Sequence, residues 1–268
     1  MDAALPDAGR GLTRRRLVSG ALGAAALGAG AAAGAGGTAY AHTAQRRDRA
    51  FVAHEPLRGA SGTRVVWRAS TDEPVLALTF DDGPDPAYTP ALLDVLAEHR
   101  VRATFFLVGQ RAYEHRDLVR RQLGDRHDLG NHTWTHADLS GLDLPEVREE
   151  LARTSQVLAD VAGRPPSVLR PPYGRLTGSA LQAAAEGGMD VLAWDERLRE
   201  RELDVAGNVA AVLDALRPGM VLLAHDAGPS PRQIGMAAVP EIIRGAQARG
   251  FRFVTAQEVL ALDSASDR

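Results

Sequence analysis

Apolar, β-rich runs recur at 75–80, 103–108, 127–131, 167–170, 189–194, 220–224 and 251–255, separated by segments whose apolar residues keep helical spacing. This alternation constrains the fold more than any other feature. A β-run, a helix and another β-run build a parallel sheet wrapped in helices. Helices are expected at 90–98, 115–124, 144–162, 178–187, 207–216, 236–249 and 256–262. In 144–162, Leu144, Val147, Leu151, Val157, Leu158 and Val161 make one stripe behind a start signal at Asp143-Leu144-Pro145-Glu146. About seven such units suit a closed or nearly closed α/β barrel better than a doubly wound sheet. In either architecture, chemistry belongs at the C-terminal ends of the strands.

Ahead of the alternation, Thr13-Arg14-Arg15-Arg16-Leu17-Val18 leads into an apolar, small-residue run ending near Ala33, and Ala39-Tyr40-Ala41 offers a small-x-small triplet. Basic region, apolar region and cleavage triplet in that order describe an export signal, and the paired arginines resemble the twin-arginine type. A run so rich in Ala and Gly makes a weak membrane anchor. Residues 1–41 are therefore expected to be removed on export, leaving an extracellular or cell-wall-associated monomer with no integral membrane domain. Residues 42–73 read as an arm or linker.

The charge balance, 34 acids against 31 bases, gives no field that would draw the protein to nucleic acid. Every base is Arg, so a Schiff-base lysine and a lysine-bearing phosphate loop are excluded. There are no cysteines, so any metal must sit on His, Asp or Glu.

Polar residues gather where the runs end. The first run closes in Thr79-Phe80-Asp81-Asp82-Gly83-Pro84. Adjacent carboxylates on a strand point to opposite faces, unless the following turn bends both to the same mouth; a plain turn is the alternative. The third run enters Gly130-Asn131-His132-Thr133-Trp134-Thr135-His136, whose two histidines share one face if the segment turns helically. Two His and one carboxylate form a hydrolytic metal site with positions left for water and substrate. In Arg170-Pro171-Pro172-Tyr173-Gly174, two prolines stiffen the loop and aim the N–H groups of Tyr173 and Gly174, as an oxyanion hole requires. Arg170 can hold a carboxylate. His225, in Leu222-Leu223-Ala224-His225-Asp226, can serve as a proton donor.

Taken in order, TFDDGP, NHTWTH, RPPYG and LLAHD closely resemble the motifs of the polysaccharide deacetylases, the family that shares the NodB homology domain (carbohydrate esterase family 4). The resemblance covers 74–262, which becomes the expected catalytic domain, with 263–268 as a tail. It implies a distorted (β/α)7 barrel and a divalent ion, usually zinc, with cobalt or nickel as alternatives. It also implies hydrolysis of the N-acetyl group of an N-acetylhexosamine glycan such as peptidoglycan or a chitin-like oligomer. By that resemblance Asp81 is the general base, Asp82, His132 and His136 hold the metal, and Arg170 positions the base. The Tyr173 N–H is the oxyanion donor, His225 the acid, and Tyr173 and Leu223 contact substrate. One motif departs: the family's Asp-Trp pair is missing from Trp194-Asp195-Glu196-Arg197-Leu198-Arg199-Glu200. Asp195 is expected in the carboxylate role, with Glu196 or Glu200 as substitutes, and Trp194 as pocket wall or core. An O-acetyl-ester or small-amide hydrolase on the same fold, or a silent glycan binder, are the competing readings.

Overall fold

The computed structural model describes residues 57–58 and 62–266. The expected leader lies outside them, as do residues 42–56 and 59–61 of the arm and the last two residues. Ten strands share one sheet: β1 (Leu57–Arg58), β2 (Arg64–Val66), β3 (Val75–Asp81), β4 (Thr104–Leu107), β5 (Asp128–Asn131), β6 (Val168–Leu169), β7 (Asp190–Leu192), β8 (Glu196–Arg197), β9 (Met220–His225) and β10 (Arg252–Val254). Eight run parallel in the order β2-β7-β6-β5-β4-β3-β9-β8. β1 pairs antiparallel with β2, and β10 lies parallel against the start of β3. Among the described residues no ladder joins β8 to β1 or β2, so the sheet curls into a barrel with an open seam. The expected distorted (β/α) barrel is what forms.

The helices are α1 (Thr89–Glu98), α2 (Gly109–Glu114), α3 (Arg116–Gly124), α4 (Leu144–Ala162), α5 (Gly178–Glu186), α6 (Val205–Ala215), α7 (Arg232–Ala248) and α8 (Ala256–Ser266). α4 starts and stops where its sequence says. Asp143 and Glu146 exchange side-chain and backbone hydrogen bonds in a capping box, and Gly163 ends the helix at φ 73°. Besides the two-residue β1 and β8, which no apolar run marks, two elements differ from expectation. Arg64–Val66, inside the stretch read as an arm, is a strand paired with β7, its run of two valines too short to stand out. α2 is a six-residue helix that buries only Gly109 and Ala112, so it carries no apolar stripe to read.

Strand alternation sorts the core into two faces. Leu76, Leu78 and Phe80 of β3 point outward and pack with Leu92, Leu93 and Ile242 of the helical layer. Val75 and Ala77 point inward and join Val66, Phe106, Val168, Leu192 and Val221 in the barrel interior. Ala256, Val259 and Leu260 of α8 close that interior from below. The N-terminus of α8 is tied to strand starts, with the Ala256 N–H donating to Thr104 Oγ1 and the Gln257 N–H to Asp128 Oδ2. The inward positions that follow up the strands are polar: Thr79 and Asp81 on β3, Arg170 just past β6, and His225 on β9.

Candidate metal centre and active site

Arg170 organises the mouth. Its side chain is fully buried, and every contact is satisfied: Nη1 donates to Asp81 Oδ1 (2.8 Å) and Thr79 Oγ1 (2.7 Å), Nε to Leu192 O (2.9 Å) and Nη2 to Ala193 O (2.8 Å). The guanidinium stacks on Phe106 at 4.0 Å and faces Trp194 at 5.7 Å. Asp81 is 3% exposed, so its charge has this arginine in place of water.

Asp82 turns away from the strand because its own backbone is left-handed, at φ 76°. That kink brings the neighbouring carboxylate to the same mouth. The two histidines are not on a helix. Thr133 (φ 66°) and His136 (φ 62°) are both left-handed, and these kinks bring the imidazoles to 5.0 Å between ring centres. Asp82 Oδ1 lies 3.6 Å from His132 Nε2 and 3.1 Å from His136 Nε2. One ligand-competent atom from each of Asp82, His132 and His136 falls within 4.8 Å of the others. His132 Nδ1 lies 2.6 Å from Arg170 O; donating its N–H there leaves the Nε2 lone pair facing Asp82. Two such histidines and a carboxylate, with no thiolate, fit a divalent ion of the zinc type.

Burial pushes Asp82 upward, but the histidine hydrogen bonds and the His132 charge outweigh it and hold the carboxyl well below its usual range. Burial likewise opposes charge on His132, but Asp81 and Asp82 outweigh it and raise that imidazole. A recess of about 260 Å³ opens beside the triad, lined by Asp82, Val108, Gln110, Arg111, Thr135 and His136. A larger groove of about 530 Å³ between α4 and α5 shares none of these residues.

Tyr173 is left-handed (φ 59°) and 62% exposed as a residue, its ring edge-on to His136 at 4.8 Å. Of the two N–H groups in this loop, that of Gly174 is used by Pro171 O, while that of Tyr173 has no acceptor among the described residues. Leu223 is buried on the inward face of β9, two residues before His225. Trp194 is half-buried and packs with core residues beside Arg170.

The structure does not bring Asp195 to His225. Asp195 accepts from Val221 N (2.8 Å) and Arg217 Nε (2.9 Å). Val221 precedes His225 by four strand residues, about 13 Å along β9. Glu196 is likewise turned to Arg197 N and Arg199. The carboxylate at the histidine is Glu200, whose Oε1 is 3.3 Å from His225 Nδ1. The register explains the choice: β8 pairs Glu196 with Leu222 and Arg197 with Leu223, so only residues beyond Leu198 reach the end of β9. Burial raises Glu200, but His225 and Arg232 outweigh it and keep its pKa low. Arg232, the first residue of α7, carries no motif and was not expected here. Its Nη1 is 2.9 Å from Glu200 Oε2 and 2.7 Å from His225 Nδ1, and Nη2 is 3.4 Å from Asp82 Oδ2.

Asp226, also unexpected, is fully buried beneath Gly83; a Cβ there would lie 2.3 Å from its carboxylate. It accepts from Thr89 Oγ1 (2.6 Å). Burial, with Asp82 and Asp81 adding to it, pushes its pKa up to about 7.

Comparison with known proteins follows this geometry. The family model for polysaccharide deacetylase matches residues 68–192. A chitooligosaccharide deacetylase of Sinorhizobium fredii is 37% identical over 200 residues, 70% of this chain and 93% of that protein. A peptidoglycan-N-acetylglucosamine deacetylase of Bacillus cereus is 36% identical over 181 residues, 67% of this chain and 66% of that protein. A crystal structure of a peptidoglycan N-acetylglucosamine deacetylase bound to 4-naphthalen-1-yl-N-oxidanyl-benzamide superposes with a TM-score of 0.70 at 32% identity, covering 73% of this chain and 92% of that one.

Proposed function

Since the chain belongs to the polysaccharide deacetylase family, and is thereby a hydrolase of carbon–nitrogen bonds, we propose that it removes the N-acetyl group from N-acetylhexosamine units of a glycan such as peptidoglycan or a chitin-like oligomer. The observation that carries this reading is the meeting of Asp82, His132 and His136 with the buried Asp81–Arg170 pair at one barrel mouth. Asp82, His132 and His136 hold a divalent ion, most simply zinc. When bound, such an ion supplies Lewis-acid polarisation to the acetyl carbonyl and to water.

The protein's own groups do the rest. Asp81, its carboxylate fixed by Arg170, takes a proton from the attacking water. The unpaired N–H of Tyr173 donates to the oxygen that gains charge as the carbonyl becomes tetrahedral. His225 gives a proton to the departing nitrogen, with Glu200 at its other ring nitrogen. An amide needs this proton more than an ester does, because an amine cannot leave as an anion. An acid–carboxylate pair on the leaving-group side therefore favours the N-acetyl reading over the ester one.

Acetate release from peptidoglycan, chitin oligomers and acetylated xylan tests the reading. Release is expected from the N-acetylated glycans, and Asp81→Asn should abolish it while metal content stays intact. Asp82→Ala should lose the metal by elemental analysis. Turnover retained in Asp81→Asn refutes the base assignment, and xylan as the preferred substrate refutes the amide assignment. The arginine pair, apolar run and Ala39-Tyr40-Ala41 triplet support export of the protein to the cell wall or medium. Fractionation of a wild-type and an Arg14→Lys, Arg15→Lys strain checks that route. Among the described residues no helix is long and apolar enough to cross a membrane.

A further inference from the structure

Two arginines line the mouth, and Arg232 Nη2 also lies 3.4 Å from Asp82 Oδ2. Arg170 is committed to Asp81, on the side of the proton acceptor. Arg232 stands on the side of the proton donor, where one amino group meets Glu200 Oε2 at 2.9 Å and His225 Nδ1 at 2.7 Å. Its setting is built. α7 begins at Arg232, and one turn later Gly235 faces Glu200, where a Cβ would lie 2.9 Å from the glutamate side chain. A bulkier residue at 235 would push Glu200 off the arginine. Gly228, at φ 114°, leaves the turn before α7 open, so that only the arginine side chain lies near.

The contact has a chemical consequence. An arginine only donates, and a carboxylate only accepts. His225 Nδ1 is within reach of both, at 2.7 Å from Arg232 and 3.3 Å from Glu200. It can accept from the first or donate to the second, but not both. The shorter contact is to the arginine. A neutral ring that accepts at Nδ1 must carry its proton on Nε2, the nitrogen left for the substrate.

We propose that Arg232 is a positioning residue that sets the tautomer and orientation of His225, placing the ring proton on Nε2. The same amino group holds Glu200 beside Nδ1, at 2.9 Å from Glu200 Oε2. The leaving-group consequence rests on the deacetylase reading above; the tautomer itself does not.

The experiment has two arms on the full-length protein and its Arg232→Met and Arg232→Lys variants. Nitrogen-15 NMR of labelled histidine at alkaline pH, with His225→Gln to assign the signals, reads the ring directly. In the wild type Nδ1 is expected unprotonated and Nε2 protonated; in Arg232→Met the proton should move to Nδ1, facing Glu200. The same tautomer in both proteins overturns the proposal. The second arm compares acetate release from a chitin oligomer with hydrolysis of 4-nitrophenyl acetate, whose phenolate leaves without a proton. A general acid contributes at least about 100-fold. The loss in Arg232→Met on the amide should therefore exceed its loss on the ester by about tenfold or more, and Arg232→Lys, which keeps a donor and a charge, should recover part of that ratio. Equal losses on the two substrates reduce Arg232 to a structural contact and overturn the positioning role. A wild type that leaves the amide untouched refutes the deacetylase reading instead, and the NMR arm still decides the tautomer.

Discussion

Replacing Arg170 by lysine keeps its charge and discards its shape. The native guanidinium makes four hydrogen bonds from full burial, to Asp81, Thr79, Leu192 O and Ala193 O. A single ammonium can stay with Asp81 and Thr79 but cannot also reach the two main-chain carbonyls. Each orphaned acceptor costs about 1–3 kcal/mol, so with two of them Arg170→Lys should destabilise by about 2–6 kcal/mol. Arg170→Met also takes the hydrogen-bonded cation away from the buried Asp81 carboxylate, which adds about 3–5 kcal/mol. A loss above about 5 kcal/mol rivals the total stability of an ordinary domain, so the methionine variant should be largely unfolded. Urea unfolding at pH 7, followed by tryptophan fluorescence and circular dichroism, measures both; Trp194 sits 5.7 Å from the guanidinium and reports locally. A lysine variant within about 1 kcal/mol of wild type, or a methionine variant more stable than the lysine one, refutes the view that the fork shape holds this mouth together.

Because Asp81 and Asp82 raise the His132 pKa above its ordinary value, protons compete with the ion, and metal retention measured by dialysis and elemental analysis should fall as pH drops below neutrality; retention independent of pH contradicts the ligand set. Asp226 is raised to about 7 in the folded protein, so the folded state binds the extra proton between about pH 4 and 7 and stability declines as pH rises through that window. In metal-stripped protein, Asp226→Asn should therefore be stabilising at pH 7 and progressively less so toward pH 4; urea midpoints that move in parallel at all pH values contradict this. His127 runs the other way: burial lowers it to about 4, its Nδ1 accepts from Ala103 N, and its stability contribution is complete above pH 6.5 and lost as pH falls through 4. His127→Asn should flatten that acid limb in the same titration, and an unchanged limb rules out His127 as its source.

The strands were legible as continuous apolar runs, and most of the helices through the helical spacing of their apolar residues. Val75–Asp81 is buried at every position, as a strand covered on both faces must be, and the 144–162 helix carries both of its caps in sequence. The metal ligands were legible as residue types at strand ends, but the means of convergence was not. No pattern announces that Asp82, Thr133 and His136 take left-handed backbones, since only the surrounding fold makes that strain tolerable. The sequence left the carboxylate at His225 open among Asp195, Glu196 and Glu200, because the choice depends on the register of β8 against β9, which two residue pairs determine and no local composition records. Arg232 and Asp226 were missed for a related reason. Arg232 sits beside a catalytic residue through tertiary placement alone, and Asp226 looks like any residue following a strand until its burial beneath Gly83 is seen.

The floor of the barrel also sets an order of events during synthesis. Val75 pairs with Arg252, and the interior face of β3 is covered from below by Val259 and Leu260. A ribosome must therefore deliver almost two hundred further residues, on the order of ten seconds or more of elongation, before the first strand of the alternation can find its lower neighbour. Until then the inward valines and Phe106 lack the cover of Val259 and Leu260. Native structure should appear in one late step, in which residues 252–260 seat against β3 and the catalytic mouth at the opposite end acquires its geometry. Such a chain is slow by topology, whatever the stability of the finished product.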